Sequence, residues 1–475
     1  MPFMQQGENP AWKLGAAALF VVIFFSFGRL TDFYLSFFHL PLVFSIIALI
    51  LALATNNLLA VFNSRIGMMF LAFSFWLVAC VPTSLWRGGS VEVIKGVWIK
   101  SFALFIITGA LLRTTRHCLK VLPVFAYSFL TTSLLAFSWG VMIDGRFGMT
   151  HGLYEGSNEL ATAMVQGLIF WWYMVHDPKR GMFFRALSMV PMLPLLYILT
   201  QTGSRAGFLA IGVLMIVILL HYTMEKRIIF LLIAMMLVLS SLVILPSTAR
   251  RRFMSLFTHE IESTTRQDSR ELEQAIGSTD QRLHLLKTGL YLTLRYPVFG
   301  VGPGQFAVAE NNNAIKDGRL RGNWLGTHNT YVQISSEAGI PALIFYVGAM
   351  LFCWKELRFA ERLLQRTNST ANRERLLLGA FTLRLAFLGY AVFFCFEHIA
   401  YDHFFPAMAG VIFALGRAAR EEAAATQQWL AAQPQAASGP APLPSAFPAA
   451  ALPVPAGASG WDSGRYRMRG MRGNF

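Results

Sequence analysis

Long apolar runs joined by short polar links make up most of the chain, and one polar stretch stands apart from them. A spanning helix needs roughly 20 apolar residues, and by that measure the runs predict about twelve spans. They cover residues 12–28, 34–54, 66–85, 94–112, 121–142, 158–175, 184–201, 206–222, 228–246, 329–354, 376–397 and 399–417. The polar stretch lies between the ninth and the tenth. It opens on Arg250-Arg251-Arg252, passes through a charged helical pattern to Arg282 and turns through Gly300-Val301-Gly302-Pro303-Gly304. It closes at Thr327-His328-Asn329-Thr330-Tyr331, where a new apolar helix begins. The pattern predicts an all-α polytopic membrane protein in four parts: transmembrane helices over 1–245, a large, mostly helical loop over 246–328, further helices over 329–420, and a tail over 421–475. The first run lacks a small-residue cleavage site after a short core, so it reads as a retained helix and not a removable signal peptide.

Composition agrees. The chain has 475 residues, 55% hydrophobic and only 14% charged, against about one quarter charged in soluble domains. The net charge of +15 does not point to nucleic acid, because cytoplasmic loops of membrane proteins carry an excess of Lys and Arg. With the N-terminus inside, Arg113, Arg116 and Lys120, then Lys179, Arg180 and Arg185, then Lys226 and Arg227, then the basic run from Lys355 to Arg375 all fall on the cytoplasmic side. That orientation puts 246–328 outside. Cys80, Cys118, Cys353 and Cys395 lie in or beside apolar runs without CxxC spacing, so they predict neither a disulfide framework nor a metal site. The Ala-, Pro- and Ser-rich tail is expected to be disordered, and its basic end, Arg465 to Arg472, can attract anionic lipid headgroups or serve only to solubilise.

A membrane protein that gathers its polar side chains in one loop marks where its chemistry lies. Thr327 is a plausible N-cap, which would put His328 in the first helical turn, where the helix dipole keeps imidazole neutral and able to accept a proton. Read alone, His328 also fits an interfacial histidine facing headgroups. Arg205 follows Gly203-Ser204 at the outer mouth of a span, where its guanidinium can grip a phosphate or snorkel. Arg282 precedes Leu286, Leu290 and Leu294 at fourfold spacing and so borders their stripe. Lys100, Glu337, Arg384 and Glu397 are ionisable residues inside or at the ends of spans, which usually face a partner or a wet cavity. Glu337 lies about 13 Å beyond His328 on the opposite helix face, and an ion pair with a neighbouring arginine is expected for it. His398, Asp402 and His403 are too loosely spaced for a firm metal signal. Neither GxxxxGK[ST], HExxH nor DxD occurs, so no nucleotide, metal or other cofactor is expected.

The chain resembles the O-antigen ligase and polysaccharide polymerase superfamily of bacterial membrane glycosyltransferases. The resemblance is carried by Gly203-Ser204-Arg205-Ala206-Gly207, by Arg282 with Pro297 and the Gly300–Gly304 turn, by His328-Asn329-Thr330-Tyr331, by Glu337-Ala338-Gly339-Ile340-Pro341, and by Gly152 and Asn158. It implies a GT-C-like fold in the bacterial inner membrane with its site facing the periplasm. It also implies a glycan donor on undecaprenyl diphosphate, an acceptor hydroxyl on the lipid A core or a growing polysaccharide, and inverting transfer without a metal. His328 would be the base, Arg205 and Arg282 the diphosphate ligands, and Ser204, Asn329, Tyr331, Asn158 and Glu337 substrate contacts. A polymerase and a protein O-oligosaccharyltransferase are alternatives within this class. A secondary transporter or lipid flippase is the alternative outside it, although such proteins show paired interrupted helices in both halves and no internal repeat is visible here.

Overall fold

The computed structural model describes residues 10–55, 57–143, 146–221, 227, 266–368 and 370–432, with side chains of the long loop from Asp280 onward. The ninth predicted span (228–246), the Arg250-Arg251-Arg252 run, the side chains of Arg266 and Arg270, and the tail from 433 lie outside the described residues. The chain divides at Gln428, and all contacts below lie within Met1–Gln428.

The described residues are almost entirely helical. The predicted spans correspond to α1 (Pro10–Gly28), α2 (Leu40–Ala54), α3 (Arg65–Cys80), α4 (Arg87–Leu111), α5 (Thr115–Trp139), α6 (Ser157–His176), α7 (Met182–Thr202) and α8 (Arg205–His221). The loop supplies α9 (Arg266–Arg295) and α10 (Phe306–Lys316), followed by α11 (Thr330–Gln365), α12 (Ala371–Phe394) and α13 (Phe404–Ala432). Among the described residues, seven helices are long and apolar enough to cross a membrane, and α2 and α8 are shorter apolar helices. The protein is an all-α polytopic membrane protein. One two-stranded hairpin, β1 (Gly140–Ile143) with β2 (Arg146–Met149), interrupts the helices.

Helix starts follow local chemistry. The hydroxyls of Ser64, Thr114 and Thr370 each accept from a backbone N–H three residues on, occupying a donor that a helix start leaves open. Helix α6 is buried almost all round and packs against α5, α7, α8 and α12, which makes it the hub of the bundle. Large apolar side chains such as Ile50, Phe75, Leu193 and Leu220 remain exposed, as a lipid-facing surface requires.

Helix α11 is broken near its start. Gly339 adopts φ 82° and Pro341 has no N–H. Ile340 N donates to Pro297 O at 2.7 Å instead of to the previous turn. The carbonyls of Ser336 and Glu337 are thereby released to other partners.

Candidate active site

The glycine-rich turn after α9 takes those partners. Val301 N donates to Ser336 O (2.9 Å) and Gly302 N to Glu337 O (2.8 Å). Gly300, Gly302 and Gly304 have φ of 64°, 109° and 75°, the left-handed region that glycine enters without a Cβ penalty. A Cβ at Gly300 would collide with the Glu337 backbone. The turn is thus a docking clasp for the broken helix. The Glu337 carboxylate completes it, accepting from Gly304 N (2.9 Å) and the Tyr401 hydroxyl (2.8 Å). The ion pair expected for Glu337 is replaced by these hydrogen bonds, because its side chain reaches a backbone N–H exposed by the turn before it reaches any guanidinium.

The start of α11 also differs from the predicted cap. Asn329 is the N-cap, its Oδ1 accepting from Val332 N at 3.0 Å. Thr327 instead braces Asn329, donating to its carbonyl at 2.8 Å. His328 therefore stands just before the helix, with φ 48°, and not in the first turn. Its Nδ1 is buried without a hydrogen-bond partner among the described residues. Burial first, then His398, Arg282 and Arg146, lower its pKa to about 3. The imidazole is neutral at physiological pH, through burial and neighbouring cations more than through the helix dipole.

The loop between α12 and α13 closes over this point. Thr330 Oγ1 donates to Glu397 O (2.8 Å) and accepts from Ile399 N (3.2 Å), while Gln333 Oε1 accepts from Ala400 N (3.1 Å). This brings Glu397 and His398 beside His328, whose ring meets that of His398 edge to face at 5.2 Å. Glu397 Oε1 and His398 Nδ1 are buried and likewise unpartnered among the described residues. Burial and then Glu159 raise the Glu397 pKa to about 8, and burial lowers that of His398. Ligand atoms of the three lie within 4.8 Å of one another, so they have the chemistry and spacing to hold a divalent cation. The looser set of His398, Asp402 and His403 does not converge: Asp402 pairs with His403 at 2.9 Å and accepts from Tyr390.

A second network lies under the hairpin. Arg146, carried on β2, donates through Nη2 to Asn158 Oδ1 (2.5 Å) and through Nε to Thr202 O (3.3 Å). Ser204 Oγ donates to the same Asn158 oxygen at 2.8 Å and accepts from Gly207 N, capping α8. Asn158 and Ser204, both expected from the sequence, are buried, and Arg146 is the member that the sequence reading passed over. Arg205 begins α8 beside this network with an exposed side chain. Arg282 is half-buried on α9 and acts electrostatically on both His328 and Glu397. The buried stripe it borders is Leu285, Gly289 and Leu292, whereas Leu290 and Leu294 are 48% and 79% exposed. The correction has a steric cause: Gly289 lets α9 approach Val332 of α11 closely, so the packed face runs through the glycine. Tyr331 is half-buried with its ring edge-on to Phe394.

A cavity of about 740 Å³ opens onto Glu397 and His398, and its wall includes Lys100, Trp324, Gln333 and Glu337. A neighbouring cleft of about 530 Å³ is lined by Arg146, Ser157 and Glu159. The arrangement offers a neutral imidazole, a high-pKa carboxyl and guanidinium groups around space for a substrate.

Comparison with known proteins falls on part of this site, with Arg146, Asn158, Glu397 and His398 outside the family match. Residues 190–347 match the family described as O-antigen ligase. The chain is also similar to the teichuronic acid biosynthesis protein TuaE of Bacillus subtilis (strain 168), with 23% identity over 337 residues. That alignment takes in 67% of this chain and 65% of the relative, which is less than two thirds of the relative's length. The matched segment contains Arg205, Arg282, His328 and the glycine-rich clasp, so the similarity falls on residues that carry the chain's resemblance to the O-antigen ligase and polymerase superfamily.

Proposed function

We propose that the protein is a membrane glycosyltransferase of O-antigen ligase type, acting at the periplasmic face of the bacterial inner membrane. It moves a glycan from undecaprenyl diphosphate to a hydroxyl of the lipid A core. The observation that carries this reading is the place of His328: an unpartnered ring nitrogen on the segment that enters α11, beside Glu397 and His398 and under the influence of Arg282 and Arg146. An imidazole nitrogen takes the acceptor hydroxyl's proton as the oxygen attacks the anomeric carbon. The bond from that carbon to the diphosphate oxygen breaks, and the electron pair leaves with the diphosphate. Attack opposite the leaving group inverts the anomeric centre. Arg205 and Arg282 meet the charge that develops on the diphosphate, the kind of electrostatic stabilisation that dominates many barriers. Asn158, Ser204, Asn329 and Glu337 shape the substrate space through the bonds described above, and Tyr331 borders it.

His328→Ala tests the role of the base. The variant is expected to insert and bind carrier-linked donor while turnover stops, because the imidazole acts in the transition state. In cells with this variant as their only copy, full-length polymer then stays on the carrier and the core remains bare. A core capped by one repeat unit would instead identify a polymerase. Normal long-chain polymer on the core rules out His328 as base. The convergence of His328, Glu397 and His398 favours one further reading, a cation-assisted transfer. Base catalysis predicts unchanged transfer after treatment with a strong chelator, and cation assistance predicts its loss and recovery on metal addition.

A further inference from the structure

The helices that frame the His328 site also converge at their opposite ends, around a cleft of about 570 Å³. Arg384 of α12 reaches into it from a stretch whose neighbours Leu383, Leu385 and Ala386 are buried. It pairs with Glu361 of α11 at 2.7 Å. The pair leaves donors and acceptors over: Arg384 Nε and Glu361 Oε1 are both buried without a hydrogen-bond partner among the described residues. Glu361 is only 9% exposed, so these are unmet polar atoms inside the bundle, where each is costly. The guanidinium also cannot swing away easily. It lies against the Phe381 ring at 4.8 Å, and His221 of α8 stacks on that ring at 4.1 Å.

The mouth of the cleft carries Arg358 and Arg362, exposed and one helical turn apart on α11. Neighbouring Arg375 is occupied, held by Asp177 through two bonds of 2.9 Å. Glu374 lines the cleft as well, so with Glu361 already matched by Arg384 the remaining arginines leave it cationic. One wall is apolar, formed by Leu377 and Leu378. A soluble anion has no use for that wall, whereas a lipid has acyl chains to lay along it.

We propose that this cleft binds the phosphate of an anionic phospholipid headgroup, with Arg358 and Arg362 at its mouth and Arg384 Nε as the buried donor. Basic pockets between membrane helices suit such headgroups. The site is separate from the transfer chemistry and does not depend on which glycan acceptor the enzyme uses.

The test uses the full chain, purified in detergent, stripped of lipid and supplied with phosphatidylglycerol or phosphatidylcholine, with retained lipid counted by native mass spectrometry. Phosphatidylglycerol is expected to be retained and phosphatidylcholine lost. Replacing both Arg358 and Arg362 by Gln should weaken phosphatidylglycerol retention on the order of tenfold. Both are surface residues, so the fold is not at risk, and Lys355→Gln, outside the cleft, should change nothing. Equal retention of the two lipids, or undiminished retention by the double variant, overturns the proposal. Displacement of the lipid by excess inorganic phosphate also overturns it, by showing a soluble-anion site.

Discussion

The rings of His328 and His398 stand edge to face with centroids 5.2 Å apart, and each presents a buried, unpartnered Nδ1 among the described residues. Two imidazoles this close, each with a buried ring nitrogen, do not both charge, and Glu397 beside them holds its proton instead.

This sets the pH dependence of stability. His328 falls to about 3 and Glu397 rises to about 8 in the folded protein, against about 6.5 and 4.3 in an unfolded chain. Between roughly pH 4.3 and 6.5 the folded state has its proton on Glu397 and the unfolded chain has it on His328. The counts match, so these two groups give no slope there, and His398, whose pKa burial also lowers, makes stability fall as pH drops below about 6.5. Above about 6.5 only folded Glu397 keeps a proton, so stability falls as pH rises towards 8. Below about 4.3 the unfolded chain binds one more proton, and stability falls as pH drops towards 3. Thermal scans in detergent should show a maximum near pH 6.5 with a decline on either side, and Glu397→Gln should remove the upper decline. A wild-type midpoint that climbs from pH 6.5 to 8 contradicts this assignment.

Arg205 tests leaving-group stabilisation. Arg205→Ala should lower turnover about a hundredfold, the effect of roughly 3 kcal/mol at a transition-state donor. Arg205→Lys, which keeps the charge and loses the planar fork, should fall between the variant and wild type. Turnover of carrier-linked donor at the normal rate by Arg205→Ala removes the residue from the mechanism.

Two glycines with similar backbone angles should respond very differently. Gly300 (φ 64°) lies against the Glu337 backbone, whereas Gly318 (φ 80°) faces open space. Gly318→Ala should cost only the left-handed penalty of about 1–2 kcal/mol. Gly300→Ala adds a backbone collision and should lower the melting midpoint several times further. Equal shifts would mean that the clasp does not bear on α11.

The proposed orientation is open to labelling in a Cys395→Ser background. A cysteine at Asp317 should react with a membrane-impermeant thiol reagent in cells with a permeabilised outer membrane. A cysteine at Thr367, in the basic link between α11 and α12, should not. The opposite pattern would put the carrier-linked donor on the wrong side.

Most of the spans were legible from apolar length, which seven of the described helices meet, and every described one is largely helical. His328 and Ser204 stood out in the sequence as polar residues at the ends of apolar runs, Arg282 as the border of a leucine stripe in the polar loop, and Asn158 only through the family resemblance. Arg146 was not, since its importance depends on a hairpin that aims it at Asn158 and at the carbonyl of Thr202. Glu397 and His398 looked like the end of a span because their closeness to His328 depends on contacts made nearly seventy residues apart in sequence, such as Thr330 to Glu397. The role of Glu337 was hidden for another reason: its partners include a backbone N–H, which has no signature in side-chain spacing. Leu290 and Leu294 misled because apolar side chains on a membrane protein satisfy lipid as readily as a packed neighbour.

The clasp also dictates the order in which the molecule can be built. Residues 300–304 dock on carbonyls that exist only after Ser336 and Glu337 have entered the broken start of α11. The latch on Glu337 is Tyr401, and Glu397 and His398 come from the same late segment. During synthesis the polar loop must wait for everything behind it. A ribosome stalled just past α11 leaves a chain without its last two helices and with its reaction centre unfinished, and the segment between α12 and α13 is the one that completes it.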